Sequence, residues 1–384
     1  MSKVFVIGGL RTPIGKTGGI LNNLLPEQLA ALVLNGVIKK IALSASVVDH
    51  VILGNVWGPG GNIARVSILE AGWPFDIPGT TIDFQCGSGL SAVSIAANQI
   101  AAGRAELIIA GGVESTSMAP VRQFSSRDPR FQGQGFYERA PFSTPSVGDP
   151  EMGEGAENLA NLMDISRIQM DRLALESHQK AYQAQNEGHL SDIILPVNVN
   201  GKMVYNDETI RPGMNLKLLA RMPSAFVKGG QVTAGNACLK HDGAAVVLLA
   251  SARAVRKFKL HPEAVILNHA ISGCDPNVFP LGPVFSVKKL MKKSHLKLAD
   301  VAAFEINEAF AVKVLACCQK LGISLDKTNV LGGALAYGHP YGASGAIILL
   351  HLLKALRKVN GCLGIAAMGV AGGQSVSVLV ERCC

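Results

Sequence analysis

The 384-residue chain has no uninterrupted apolar run approaching the roughly 20 residues that a membrane-crossing helix requires, so no membrane partner is expected. Aromatic residues are scarce, at 5%, and no zinc-finger or RNP-like string occurs. That argues against a platform for stacking bases, and no nucleic-acid partner is expected. Charged residues make up only 17%, a lean surface that implies cover by subunit contacts. None of the eight cysteines (86, 238, 274, 317, 318, 362, 383 and 384) forms a CxxC pair, which leaves zinc ribbons and thioredoxin-type motifs unsupported, and no metal site is expected. Scattered cysteines in a long, Gly-rich chain read as reduced thiols of a cytoplasmic protein, with Cys383-Cys384 a frayed tail. Nor does the start read as a secretory signal. The apolar stretch 4–7 is too short and ends at Arg11-Thr12-Pro13, as a first strand and its turn would.

What is abundant is apolar residue and glycine. Hydrophobic residues reach 48% and mean hydropathy is +0.28, enough for a large core in two or three structural units. The 42 glycines cluster in short turns without a repeat, which excludes collagen-like and low-complexity chains. Net charge is +8, and the excess is local. Between residues 201 and 260, ten Lys/Arg face three acidic residues. This fits either a phosphate-bearing small ligand or a solvated basic face.

The most informative feature is an internal duplication. In the first half, a strand over 51–55 is followed by Cys86-Gly87-Ser88-Gly89, a helical run over 90–102 and a strand over 107–110 that ends in Gly111-Gly112-Val113-Glu114-Ser115. In the second half, a strand over 303–307 is followed by Gly342-Ala343-Ser344-Gly345, a helical run over 346–358 and a strand over 362–368 that ends in a second glycine turn, 369–375. Short apolar runs alternating with helices imply βαβ units and buried mixed sheets. Two such units side by side predict an α/β fold layered α/β/α/β/α, with mixed five-stranded sheets and an inserted loop domain. The expected boundaries are 1–120 plus 233–252 for the first half, 121–232 for the loop domain and 253–384 for the second half. The insertion is rich in proline and arginine, with helical spacing over 158–185. Loops that leave and return commonly carry binding or assembly.

Three side chains stand out chemically. Cys86 lies between a strand over 80–84 and a helix, where the helix N-terminus favours thiolate and Gly87 and Gly89 let backbone N–H groups turn toward a carbonyl oxygen. His339, in Gly338-His339-Pro340, occupies the second copy of the turn that carries Cys86, and imidazole can take a thiol proton. Pseudo-twofold symmetry would bring the two turns together. Asn307, in Glu305-Ile306-Asn307-Glu308-Ala309-Phe310, either orients water or an oxyanion or caps the following helix.

Over essentially the whole length the residues resemble the thiolase family. The matching strings are RTPIGKTGG, DFQCGSGL, AGGVES, MGEGAEN, VTAGNA, DGAA, GPV, INEAFA, GGALAYGHPYGASG and AGGQS. The chain is most similar to the acetyl-CoA C-acetyltransferase branch, within a divergent bacterial subgroup that lacks the second catalytic cysteine. The resemblance implies an acyltransferase of fatty acid metabolism acting on coenzyme A thioesters, with acyl-CoA or coenzyme A as partner and no permanently bound cofactor. It also implies a homodimer or homotetramer. Cys86 matches the acyl-accepting nucleophile, His339 its activating base, and Asn307 the residue holding an oxyanion-hole water. The backbone of Cys86 and Gly372 matches the oxyanion donors. Arg211, Phe226, Ala234, Cys238, Ala309, Phe310 and Met152 match positions for substrate or coenzyme A.

The departures are specific. Gly369 stands where the family's second cysteine belongs. Cys238-Leu239 replaces a usual Ser-Gly, Phe279 a usual Met and Glu151 a usual His, and Phe279 hints at a crowded mouth. A thiolase cycle first acylates the nucleophile and then needs a group to remove an α-proton from acetyl-CoA, which glycine cannot supply. Three readings follow. One is a thiolase with a weakened Claisen step, in which His339, water or a distant residue substitutes. Another is a plain acyltransferase or a decarboxylative condensing enzyme with a Cys/His/Asn set. The last is a non-catalytic coenzyme A binder, against which the retained Cys86, His339 and Asn307 argue. Gly369→Cys is expected to raise thiolysis.

Overall fold

The computed structural model of the chain describes residues 2–131, 133, 135–137 and 139–383. The first unit runs β1 (Val4–Arg11), β2 (Gly15–Lys16), α1 (Pro26–Ile41), β3 (His50–Gly54), α2 (Ile63–Glu70), β4 (Gly79–Ile82), α3 (Ser88–Ala101) and β5 (Leu107–Glu114). The chain then leaves through α4 (Met152–Leu162), α5 (Arg167–Asn186), the pair β6 (Val197–Val199) and β7 (Lys202–Val204), and α6 (Leu216–Ala220). It returns in β8 (His241–Ser251), followed by α7 (Ala252–Phe258). The second unit comprises β9 (Ala264–Gly273), α8 (Gly282–Ser294), β10 (Ala303–Ile306), α9 (Ala311–Leu321), α10 (Ala334–Tyr337), α11 (Tyr341–Lys358), β11 (Leu363–Val370) and β12 (Gln374–Arg382). Where helical spacing predicts one helix over 158–185, there are two. Asp164 takes a left-handed backbone between them (φ 50°), and the Ser166 N–H, bonded to Gln169 Oε1 at 2.8 Å, starts the second.

The duplication is visible in the strand order. The first half reads β4-β3-β5-β8-β1 and the second β10-β11-β12-β9. In each, parallel pairs (β4/β3/β5; β10/β11) give way to antiparallel ones. The second half has four strands instead of the expected five. At the place equivalent to β4 there is a single parallel bridge, Phe304 with Thr328. The Asn329 side chain explains the truncation: its Oδ1 accepts from Ile306 N–H and its Nδ2 donates to Ile306 O, each at 2.9 Å, replacing a backbone ladder. The two sheets also join edge to edge, through Val4–Ile266, Phe5–Val265 and Val6–Ala264.

Side-chain alternation builds the layers. Val51 and Leu53 of β3 enter the core under α1 and α2, whereas Ile52 enters the central core. In β11, Ala366 and Met368 face the central core, and Ile365 and Ala367 the core under α8 and α9. Both faces are buried, which is why these strands read as unbroken apolar runs. The central layer is α3 against α11, and α11 is buried all round from Gly342 to Leu356. These helices touch at their glycines. A Cβ on Gly89 would stand 2.6 Å from Gly342 O, and one on Gly345 would collide with Leu90 N. The two glycine-rich turns therefore meet, as the duplication predicts.

Candidate active site

The first bend is a tight elbow between β4 and α3. Gln85 sits at φ 47°, an unfavourable conformation for a residue with a side chain. It is held by Asp83 Oδ1, which accepts the Gln85 N–H at 2.8 Å, and by Ser88 Oγ, which accepts from Phe84 N–H and donates to Gln85 O (2.8 and 2.6 Å). This fixes Cys86 just before the first turn of α3, buried at 7% exposure. The expected thiolate is not what results. Burial pushes the Cys86 thiol up to about 11; the Lys313 ammonium and the residue's own backbone N–H pull it down, and the Glu114 and Asp83 carboxylates push it further up. Desolvation outweighs the helix end, so the resting group is a neutral thiol.

The second bend places His339 before α11, with Pro340 as the helix N-cap. Ser344 Oγ lies 2.6 Å from His339 Nδ1 and 2.9 Å from Pro340 O, tying the ring to the start of α11. Nε2 is buried and without a protein partner. Burial, with help from the Lys313 and His241 charges, holds this imidazole well below its ordinary pKa and therefore neutral. Tyr341 packs edge-on against the ring, 5.0 Å between centroids.

Cys86 and His339 line one cavity of about 740 Å³. Of the other sequence-predicted positions, Met152, Phe226, Cys238, Ala309 and Phe310 line the same cavity. Burial raises the Cys238 thiol to about 12, and Cys86 adds to the rise. Asn307 lies behind His339: its Nδ2 is 3.4 Å from Nδ1, and its Oδ1 accepts from Lys313 Nζ at 3.1 Å. It is not a helix cap, since α9 starts at Ala311 with Phe310 as N-cap. Arg211, Ala234 and Gly372 are off the cavity wall, although Ala371, next to Gly372, is on it. Arg211 and Ala234 are instead exposed. The hint of a crowded mouth from Phe279 fails as well. That ring is buried in the core with α8 and α9, against the position a Cβ on Gly155 would take.

Several contributors escaped the sequence reading. Glu114, at the end of β5, accepts from the N–H groups of Val56 (3.2 Å), Trp57 (2.9 Å) and Gly342 (3.0 Å), tying a cavity wall to the start of α11. Burial raises its carboxyl to about 7, against those donors. At the mouth, Lys240 stacks 4.6 Å above Trp57, and Arg139 Nε bonds to Glu151 Oε1 at 2.8 Å. Most unexpected is Lys313, fully buried on α9. A Cβ built on Gly369 would lie 3.0 Å from its Cε and 3.3 Å from its Nζ. A lysine on an amphipathic helix normally reads as a solvated one, so only the lack of a side chain at 369 could have flagged it.

A duplicated, layered fold whose two symmetry-related bends place a buried thiol and a buried imidazole on the wall of one cavity defines a thiolase. The chain belongs to the thiolase family, matching the thiolase N-terminal domain over residues 4–253 and the thiolase C-terminal domain over 260–382. Among its relatives, it is 41% identical to "Putative acetyl-CoA C-acetyltransferase VraB" of Staphylococcus epidermidis, over 100% of this chain and 99% of that one. It is 40% identical to the protein of the same name in Staphylococcus aureus, over the whole of both chains. Among solved structures, the Bacillus anthracis acetyl-CoA acetyltransferase superposes with a TM-score of 0.94 at 36% identity, covering 100% of this chain and 99% of that one. Human mitochondrial 3-ketoacyl-CoA thiolase in complex with CoA gives 0.93 at 35% identity, covering 100% and 98%. Among the described residues no helix is long and apolar enough to cross a membrane.

Proposed function

We propose that the chain is an acetyl-CoA C-acetyltransferase of the thiolase type, moving acyl groups between coenzyme A thioesters through an acyl-Cys86 intermediate. The observation that carries this is one cavity walled by a neutral thiol at 86 and a neutral imidazole at 339 whose only unpartnered nitrogen is Nε2. His339 takes the thiol proton as sulfur attacks the thioester, a concerted step suited to a thiol that does not ionise by itself. The imidazolium so formed is stabilised by Ser344 Oγ at Nδ1. Backbone N–H groups at Cys86 and beside Gly372 receive the oxyanion. The segment 121–232 acts as the coenzyme A-binding domain, supported by Arg139, Phe142, Met152 and Phe226 on the cavity wall. Related acetyl-CoA acetyltransferase and CoA-bound thiolase structures favour the same substrate class.

Gly369 supplies no proton-transfer group, so the carbon–carbon step is slowed relative to acylation. The same observation favours a second reading, plain acyl transfer or decarboxylative condensation, in which no α-proton base is needed. A homodimer or homotetramer in the cytoplasm, serving fatty acid metabolism, completes the reading. The lean 17% charge supports the former, and the free thiols at 86, 238, 274, 317, 318 and 362 support the latter. The test is incubation with acetyl-CoA followed by intact mass and thiolysis of acetoacetyl-CoA. The expected result is an acetyl adduct that Cys86→Ala abolishes and free coenzyme A removes. No adduct on the folded protein refutes acyl transfer. Malonyl-CoA turnover with CO₂ release and no thiolysis selects the second reading.

A further inference from the structure

We propose that Lys313 is the acid–base residue of the carbon–carbon step, its amine standing in the space left by the absent side chain at 369. This deepens the acyl-Cys86 reading and rests on it. Three observations place the amine there. A Cβ on Gly369 would be in tight contact with Lys313 Cε and Nζ, at 3.0 and 3.3 Å, so the lysine end fills the volume a side chain at 369 would enter. Nζ donates to Asn307 Oδ1 at 3.1 Å, and Asn307 Nδ2 lies 3.4 Å from His339 Nδ1, which puts the amine one residue behind the imidazole and just outside the cavity wall, so the α-carbon has to be drawn in toward Nζ for the step. The groups whose charge acts on it are Cys86 before α3, Cys238 before β8 and Cys317 on its own helix, with no carboxylate among them. His339 feels it in turn. Gly369 of β11, beside its end, and Pro283 of α8, beside Gly369, are uncharged.

A buried ammonium without a carboxylate is costly, which eases loss of its proton. Burial accordingly lowers the Lys313 pKa from its ordinary value, the direction a base requires. Methionine or glutamine would fill the same volume without this penalty. As a base, Nζ in its unprotonated form takes a proton from the α-carbon of acetyl-CoA, and the C–H electron pair becomes an enolate. The enolate carbon attacks the carbonyl of acetyl-Cys86. The new C–C bond forms, the C–S bond to Cys86 breaks, and the Lys313 ammonium returns its proton to the departing thiolate. Acetyl-Cys86 and acetyl-CoA become the free thiol and acetoacetyl-CoA, with the amine neutral again.

The experiment follows two readouts in wild type, Lys313→Met and Lys313→Gln. One is acetylation of Cys86 by intact mass. The other is enzyme-catalysed exchange of the acetyl-CoA methyl protons in D₂O, together with acetoacetyl-CoA thiolysis. Glutamine keeps a donor for Asn307, so it separates a structural tie from proton transfer. Both variants are expected to lose at least about 10²-fold in exchange and thiolysis while acetylation falls by no more than roughly tenfold. Partial rescue of exchange by added methylamine is expected for Lys313→Ala. Exchange at the wild-type rate in Lys313→Gln, with acetylation intact, overturns the proposal. Equal loss of both readouts in Lys313→Gln makes Lys313 a structural residue and overturns it too. Absence of any Cys86 adduct in the wild type fails the acyl-enzyme reading instead, and is seen before any variant is made.

Discussion

Cys86 and His339 occupy equivalent bends, one before α3 and one before α11, and both are buried against the glycine contacts that join the helices. Burial acts on them in opposite senses. It raises the thiol to about 11 and holds the imidazole well below its ordinary pKa, so each stays uncharged. The duplicated backbone provides two similar buried bends on one cavity, and the residue at each decides whether that bend stores a proton or an acceptor for one. A neutral thiol and a neutral imidazole on one cavity wall cost less to bury than an ion pair, and they become charged only when sulfur attacks.

The severest challenge to this pairing is removal of either member. Cys86→Ala should abolish the acetyl adduct and lower thiolysis by at least roughly 10³-fold, and His339→Ala should cost about 10²–10⁴-fold in acetylation rate. The double variant should be little worse than Cys86→Ala, because the two act as a unit. Additive losses in rapid-quench acetylation would mean that the bends work independently.

A second test asks whether Cys86 rests as thiol. Its alkylation by iodoacetamide should be slow at pH 7 and rise close to tenfold per pH unit toward pH 10, since ionisation lies at about 11. A rate that levels off below pH 8 would show that the helix end does win over burial. His339→Ala should shift the curve little, as the neutral ring contributes no charge to the thiolate.

The comparison also explains which features were legible in the sequence. The strands buried on both faces appear as unbroken apolar runs, and the repeated order of strand, turn and helix exposes the duplication. Cys86 and His339 are marked by the glycines that crowd them. The missing fifth strand is not marked, because it depends on where the Asn329 amide points. Arg211 and Ala234 sit beside recognisable strings, yet they are exposed and not part of the cavity wall, and Phe279 goes to the core. Lys313 shows the limit best. Its neighbours Val312, Val314 and Ala316 give α9 an ordinary look, and only packing against Gly369 and Asn307 turns a surface-type residue inward.

The smallest effect, and the one that sharpens the comparison most, concerns position 369. The family pattern alone predicts that Gly369→Cys raises thiolysis. The structure shows that the space is taken: the new Cβ would sit 3.1 Å from Pro283 Cδ and 3.0 Å from Lys313 Cε. The single variant should therefore lose about 1–3 kcal/mol of stability from overpacking and gain little thiolysis. Gly369→Cys with Lys313→Ala relieves the crowding, and should exceed Lys313→Ala alone by roughly tenfold in thiolysis, because the thiol then supplies the proton transfer. Denaturant melts and acetoacetyl-CoA thiolysis on the four proteins measure both. If the single variant is as stable as wild type and already faster, the lysine does not occupy that volume, and the two side chains are independent.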